Sequence, residues 1–271
     1  LNLAQNVMVY EGSASHLRRR LFSGLHSMYG LAALLAPVVA SLFRWMGASW
    51  RDCFLVLALL PILVALGGTR LRTTQQVAEP TKRGLNFSEW IYCALFSCMM
   101  AFYLWGEISA TTRMVQWLRA DLNFTPDQAN LYLGGFSLAI LLGRIFFSLM
   151  HFEGVDNWRI LLVSAVLSCA LYMLGLRHSP LWFLPCGLAM SPFFPVAMEQ
   201  VSVTFAKKNA EALGFVLGAG SLSVVVMHLT LGVLTDAFGV GNALYIGPVS
   251  LLVVAVGLTF KTLRAVPLEL R

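Results

Sequence analysis

Of the thirteen acidic residues in the chain, Glu107 alone lies well inside an apolar run, IYCALFSCMMAFYLWGEISATT. An ionisable group at bilayer depth costs about 2.5 kcal/mol or more, so it belongs in a bundle interior or an aqueous cavity and marks a solute or proton path. As a carboxylate it accepts two hydroxyl hydrogen bonds, and as a protonated acid it is a site for a coupling proton. Gly106 beside it permits close backbone approach or local unwinding, and Trp105 offers a face on which a sugar ring can stack. The competing assignment is that Glu107 pairs with a buried arginine or polar neighbour and only locks the helices.

Other polar residues sit in apolar surroundings. His26 and Tyr29 are three apart and share one helix face. A histidine ordinarily titrates near neutrality and can relay a proton. A lone His near a helix end is also a common packing residue. Tyr132, Ser137, Ser221 and His228 are positions that can line a cavity, although membrane serines mostly bond their own backbone. Gln116 and Trp117 can form an external rim, with Trp117 otherwise a belt residue at the water interface. Pro192 and Pro195 remove two backbone donors close together, so a helix there must bend or break and can act as a hinge. There is no phosphate-cradling P-loop, no HExxH, no GxSxG and no metal-ligand spacing, so no catalytic residue, metal or cofactor is expected.

The elements that must hold these groups are helices in lipid. Hydrophobic residues make up 58% and charged residues 12% of the 271, a balance that a soluble domain cannot cover with a polar surface. Eight stretches reach the ~20 apolar residues of a spanning helix: Leu21 to Phe43, Cys53 to Gly68, Glu89 to Thr112, Gln128 to Met150, Trp158 to Gly175, Pro180 to Glu199, Ala212 to Thr235 and Asn242 to Phe260. With Lys and Arg on alternate sides, fourteen fall on one face and five on the other. The positive-inside rule then places the C-terminus and the Arg18 to Arg20 cluster in the cytoplasm. The basic residues lie in short clusters between apolar runs, which argues for membrane topology and against nucleic acid as a partner. The five cysteines lie in or beside apolar segments and are expected to be reduced and structural.

The basic linker 69–88 separates two spans from six, which is the arrangement of one half of a two-bundle transporter. The expected domains are 1–68, a remnant of an N-terminal bundle, and 89–271, a C-terminal six-helix bundle. The first residues, LNLAQNVMVY, read as the tail of a span cut in its middle, so the chain is expected to be a fragment that does not transport without three further helices.

Four segments carry a resemblance: GLHSMYGLAALLAP at Gly24 to Pro37, YLWGEISATTRMVQWL at Tyr103 to Leu118, ANLYLGGFSLAILLGR at Ala129 to Arg144, and MSPFFPVAMEQ at Met190 to Gln200. In order and spacing they resemble the major facilitator superfamily, in particular its fucose permease-like sugar:proton symporter branch. The resemblance implies an all-α membrane bundle running here from the end of the fourth helix to the twelfth, a cavity between two pseudo-symmetric bundles, and alternating access by rocking. It puts Gln5 and Asn6 in the fourth helix as solute contacts, with packing as their alternative role. It also implies that Gly143 and Arg144 belong to a cytoplasmic latch, with Asp156 or Glu153 as the partner of Arg144.

The expected function is proton symport of a small polar solute, a sugar first, by a monomeric inner- or plasma-membrane protein. Glu107 would bind solute and proton, and Gln5, Asn6, His26, Tyr29, Trp105, Tyr132 and His228 would line the cavity. Export of a drug or metabolite, and a non-transporting receptor or scaffold, stay open alternatives.

Overall fold

The structure, a computed structural model, describes residues 2–68, 84–150 and 155–263. Most of the linker, 69–83, and Glu153 therefore lie outside the described residues. The chain divides into two compact units, one of 1–30 with 83–271 and one of 31–82.

The smaller unit holds the second part of a long helix, α2 (Arg18–Trp45), and α3 (Trp50–Gly68). They cover the first two apolar stretches. Asp52 accepts hydrogen bonds from the Ser49 backbone N–H and hydroxyl at 2.7 Å each, so the turn before α3 ties down its first residues.

The larger unit begins with α1 (Asn2–Gly12) and the first turns of α2. It continues with α4 (Phe87–Ala120), α5 (Pro126–Leu149), α6 (Asn157–Arg177), α7 (Phe183–Met190) and α8 (Phe193–Thr204). It ends with α9 (Asn209–Phe238), the short α10 (Val240–Ala243) and α11 (Ile246–Leu263). Among the described residues six segments, counting α7 with α8 and α10 with α11, are long and apolar enough to cross a membrane. With no water in the hydrocarbon to bond free backbone groups, an all-helical solution is required for such segments.

Capping boxes set where α4 and α5 begin. The Asn86 carboxamide accepts from Glu89 N–H at 2.9 Å while the Glu89 carboxylate accepts from Asn86 N–H at 2.6 Å. Thr125 and Gln128 repeat the exchange at 3.3 and 3.0 Å, with Pro126 in the first turn, where no donor is needed. At about 1.5 Å per residue the 34 residues of α4 run about 50 Å, well past a ~30 Å hydrocarbon core. The apolar run alone suggested an end near Thr112. The helix continues because Trp117 and Leu118 are buried, Trp117 at 5.9 Å edge-on to Phe183. The belt assignment of Trp117 is thereby corrected.

The expected break is present between α7 and α8. Ser191 closes α7, its N–H bonding Gly187 O at 3.1 Å, and Pro192 precedes α8 with Pro195 in its first turn. Neither proline interrupts a hydrogen-bond ladder in that position. Within the core α4 packs on α9, α11 and α5, α6 packs on α11 and α7, and α1 packs on α9. The α5–α7 contact depends on Gly187: a Cβ there would lie 2.7 Å from the Phe136 carbonyl oxygen and 3.1 Å from Ala139 Cβ.

Gly187→Ala is therefore expected to lower stability by about 1–3 kcal/mol through overpacking, read as a lower thermal midpoint in detergent. Gly134→Ala, where a Cβ meets nothing within 4 Å, is the control. It is expected to be neutral or stabilising by up to ~1 kcal/mol from helix propensity.

Candidate functional site

Glu107 lies in the middle of α4, where its carboxylate meets two partners. Arg144 Nη2 of α5 is 3.3 Å from Oε1, and the Tyr103 hydroxyl, one helical turn earlier, is 2.5 Å from Oε2. The same hydroxyl is 2.9 Å from the Met190 carbonyl oxygen at the end of α7. It has one hydrogen and faces two acceptors. Tyr103 is fully buried, its ring stacked on Phe193 at 4.0 Å, directly after the helix break.

Arg144 is 4% exposed. Besides Glu107 it reaches the His26 carbonyl oxygen through Nη1 at 3.2 Å, and its own carbonyl accepts from the Ser23 hydroxyl at 2.6 Å. Those contacts tie the first turns of α2 to α5. The His26 ring continues the cluster: Nε2 is 3.3 Å from Asn6 Oδ1 on α1, and the ring sits edge-on to Phe194 at 4.7 Å. Asn6, His26, Tyr103, Glu107 and Arg144 thus form one polar chain across four helices beside the α7/α8 break.

The expected pairing of Arg144 with Asp156 or Glu153 is corrected for Asp156, which is exposed, while Glu153 is outside the described residues. Arg19 makes a set of contacts of its own to α8 and to the start of α6. Its Nε is 3.1 Å from Glu199 Oε2, and its Nη2 donates to Asn157 Oδ1 at 2.6 Å and to Val155 O at 3.2 Å. Arg20 Nε donates to Ser148 O at 2.8 Å, and the Arg18 guanidinium lies 4.1 Å over the Tyr10 ring. Glu199 is 7% exposed and is buried more deeply than Glu107, which is half-buried, so the carboxylate singled out from sequence is not the deepest one among the described residues. The apolar run ends at Glu199 but α8 continues to Thr204, which draws Glu199 inside. On the same end Lys208 Nζ pairs with Glu89 at 2.6 Å.

The remaining candidates lie elsewhere. Gln5, Tyr29 and His228 are exposed, Tyr29 at 75%. Trp105 is half-buried and donates Nε1–H to Ser223 O at 2.9 Å on α9. Tyr132 is half-buried with its ring 5.3 Å from Phe124. Gly143 is buried against α7, so close that a Cβ would strike the Ser191 side chain at the break. Tyr103, Ser23, Arg19 and Asn157 were not singled out from sequence. For Tyr103 a signal existed, since it is four residues before Glu107 on the same helix face.

No family model matches the sequence, and no curated protein does. Solved structures do match. One is the E. coli fucose:proton symporter FucP, with TM-score 0.74 and 13% identity over 96% of this chain and 72% of that one. Another is a major facilitator superfamily transporter, FucP, in the outward conformation, with TM-score 0.71 and 14% identity over 95% of this chain and 71% of that one. The chain has the all-α fold of major facilitator transporters and is a multi-pass membrane protein.

Removing one member of a buried ion pair costs about 3–5 kcal/mol because the other is left uncompensated. Arg144→Met is expected to lower the thermal midpoint far more than Arg144→Met combined with Glu107→Leu, which should restore at least half of the loss. Additive losses in that cycle would show that the pair is not coupled.

Proposed function

We propose that the protein is a secondary active transporter working by alternating access, which moves a small polar solute, a sugar as the best-supported class, together with protons. The observation that carries this reading is the Tyr103 hydroxyl between the Glu107 carboxylate and the Met190 carbonyl. With Glu107 ionised, Tyr103 donates to Oε2 and Arg144 holds Oε1. Protonation removes the charge that Arg144 pairs with. The carboxylic O–H then donates to the Tyr103 oxygen, and the Tyr103 hydrogen turns to Met190 O. One proton gained at Glu107 loosens α4 from α5 and ties α4 to the end of α7, at the break.

Solute enters the same arrangement through its hydroxyls. A polyol bonds the carboxyl oxygen that Arg144 releases, with Asn6 and His26 as contacts from α1 and α2. Gln5, Tyr29, Trp105, Tyr132 and His228 extend the lining as the cavity opens. Pro192, Pro195 and Gly143 set the hinge against which α7 and α8 move, and Arg144 is its switch. The sugar and proton assignments draw support from the solved fucose:proton symporter that shares this fold. The gathering of Arg19, Arg20 and Lys208 on one end supports a cytoplasmic position for that end, and with it the C-terminus. Residues 1–68 belong to one bundle and 89–271 to the other, and opening of the Arg19–Glu199–Asn157 clamp between them exposes the cytoplasmic side.

A scaffold reading is favoured by one observation, the closeness with which Arg144 covers Glu107. Glu107→Gln separates the two. In vesicles the variant of the full-length protein is expected to keep exchange of radiolabelled sugar while losing proton-driven accumulation by tenfold or more, along with its pH dependence. Accumulation with an unaltered pH profile contradicts the proton role. Absence of flux for the unaltered full-length protein across a panel of sugars and other polar solutes favours the scaffold.

Arg19→Gln leaves Glu199 buried without its cation. It is expected to raise labelling by a water-soluble thiol reagent at cysteines placed along the basic end several-fold, with little change at the opposite end. Unchanged labelling would remove Arg19 from the gate.

A further inference from the structure

Away from the Glu107 cluster, the outer faces of α4, α6 and α11 enclose an apolar groove of about 250 Å³. Its walls include Tyr92, Phe96, Trp158 and Val254, and Gly257 lies on its α11 side, where a Cβ would meet nothing within 4 Å. All three helices are membrane-length segments, so what fills the groove in place is hydrocarbon.

One end of the groove is chemically different. Lys261, exposed in the last turn of α11, holds Nζ 5.4 Å from the ring centroids of both Tyr92 and Trp158. Rings at that distance attract an ammonium and fix it in position. Among the described residues no carboxylate pairs with Lys261, whereas Arg19, Arg144 and Lys208 each have one. Arg159, next after Trp158, is exposed in the first turn of α6. Tyr and Trp beside a lysine mark the headgroup level of a bilayer. The groove therefore offers an oily slot for a chain and, at its interfacial end, an oriented cation that no carboxylate among the described residues pairs with.

We propose that this groove is a binding site for an anionic phospholipid, with one acyl chain against Phe96, Val254 and Gly257 and the phosphate on Lys261. A juxtamembrane lysine contributes about 1 kcal/mol to anionic-lipid attraction, which is about fivefold in affinity. Zwitterionic lipid fills the slot but gains less from Lys261.

The test is native mass spectrometry of the full chain released from detergent with phosphatidylglycerol or phosphatidylcholine added. Phosphatidylglycerol is expected to be retained as a single tight copy in preference to phosphatidylcholine. Lys261→Gln should lower phosphatidylglycerol affinity about fivefold and leave phosphatidylcholine nearly unchanged. Gly257→Leu fills open space and replaces a helix-interior glycine, so its thermal midpoint should hold or rise while retention of both lipids falls. Three results overturn the proposal: retention that neither variant changes, equal retention of the two lipids, or protection by inorganic phosphate alone that depends on Lys261. A dimer lost on Gly257→Leu, with lipid retention intact, assigns the groove to a second copy and overturns it too.

Discussion

A guanidinium cannot remain alone in hydrocarbon, and Arg144, 4% exposed on α5, sets the terms for everything around it. Its charge requires an anion, which α4 supplies as Glu107 at 3.3 Å. A further donor, Nη1, finds an acceptor on α2 in the His26 carbonyl. Helices from distant parts of the sequence are thus held in one register by electrostatics, where apolar contact alone would let them slide. In the proposed mechanism a single proton acts through the same dependence, because neutralising Glu107 would remove the reason for the register.

The helix break belongs to the same logic. Pro192 and Pro195 sit where neither costs a hydrogen bond, so α7 and α8 are two short helices and not one strained one. The Met190 carbonyl at that junction faces the Tyr103 hydroxyl, and Phe193 just beyond it stacks on the Tyr103 ring. A change of hydrogen-bond partner at Tyr103 is therefore felt at the one place where this segment bends. At the basic end Arg19 reaches Glu199 on α8, the far side of the same broken segment, and Asn157 at the start of α6.

Much of this was legible in the residues themselves. Length and apolar content marked the spanning helices, paired prolines marked the break, and a carboxylate inside IYCALFSCMMAFYLWGEISATT marked the centre of the polar cluster. The order of GLHSMYGLAALLAP, YLWGEISATTRMVQWL, ANLYLGGFSLAILLGR and MSPFFPVAMEQ resembled the fold that the solved structures share. Pairing of Glu107 with a buried arginine was open from the sequence as the competing assignment, and what stayed hidden was which residues partner across helices. Arg144 stands at the end of an apolar run and reads as a loop anchor, and only the depth of α5 beside α4 turns it inward. Arg19 sits in a run of three arginines that topology alone explains. Glu199 closes an apolar stretch, and nothing in sequence says that α8 carries on past it. Gln5, Tyr29 and His228 are polar residues on apolar helices whose exposure depends on helix rotation, which a single sequence does not specify.

The central claim is that Glu107 changes protonation and passes that change to Tyr103. Infrared difference spectroscopy across a pH step, on membranes with and without solute, tests it at the groups concerned. The account predicts a protonated-carboxyl band that vanishes in Glu107→Gln, rising together with a tyrosine hydroxyl shift that vanishes in Tyr103→Phe. A carboxyl that stays ionised throughout the pH range over which solute moves would contradict it.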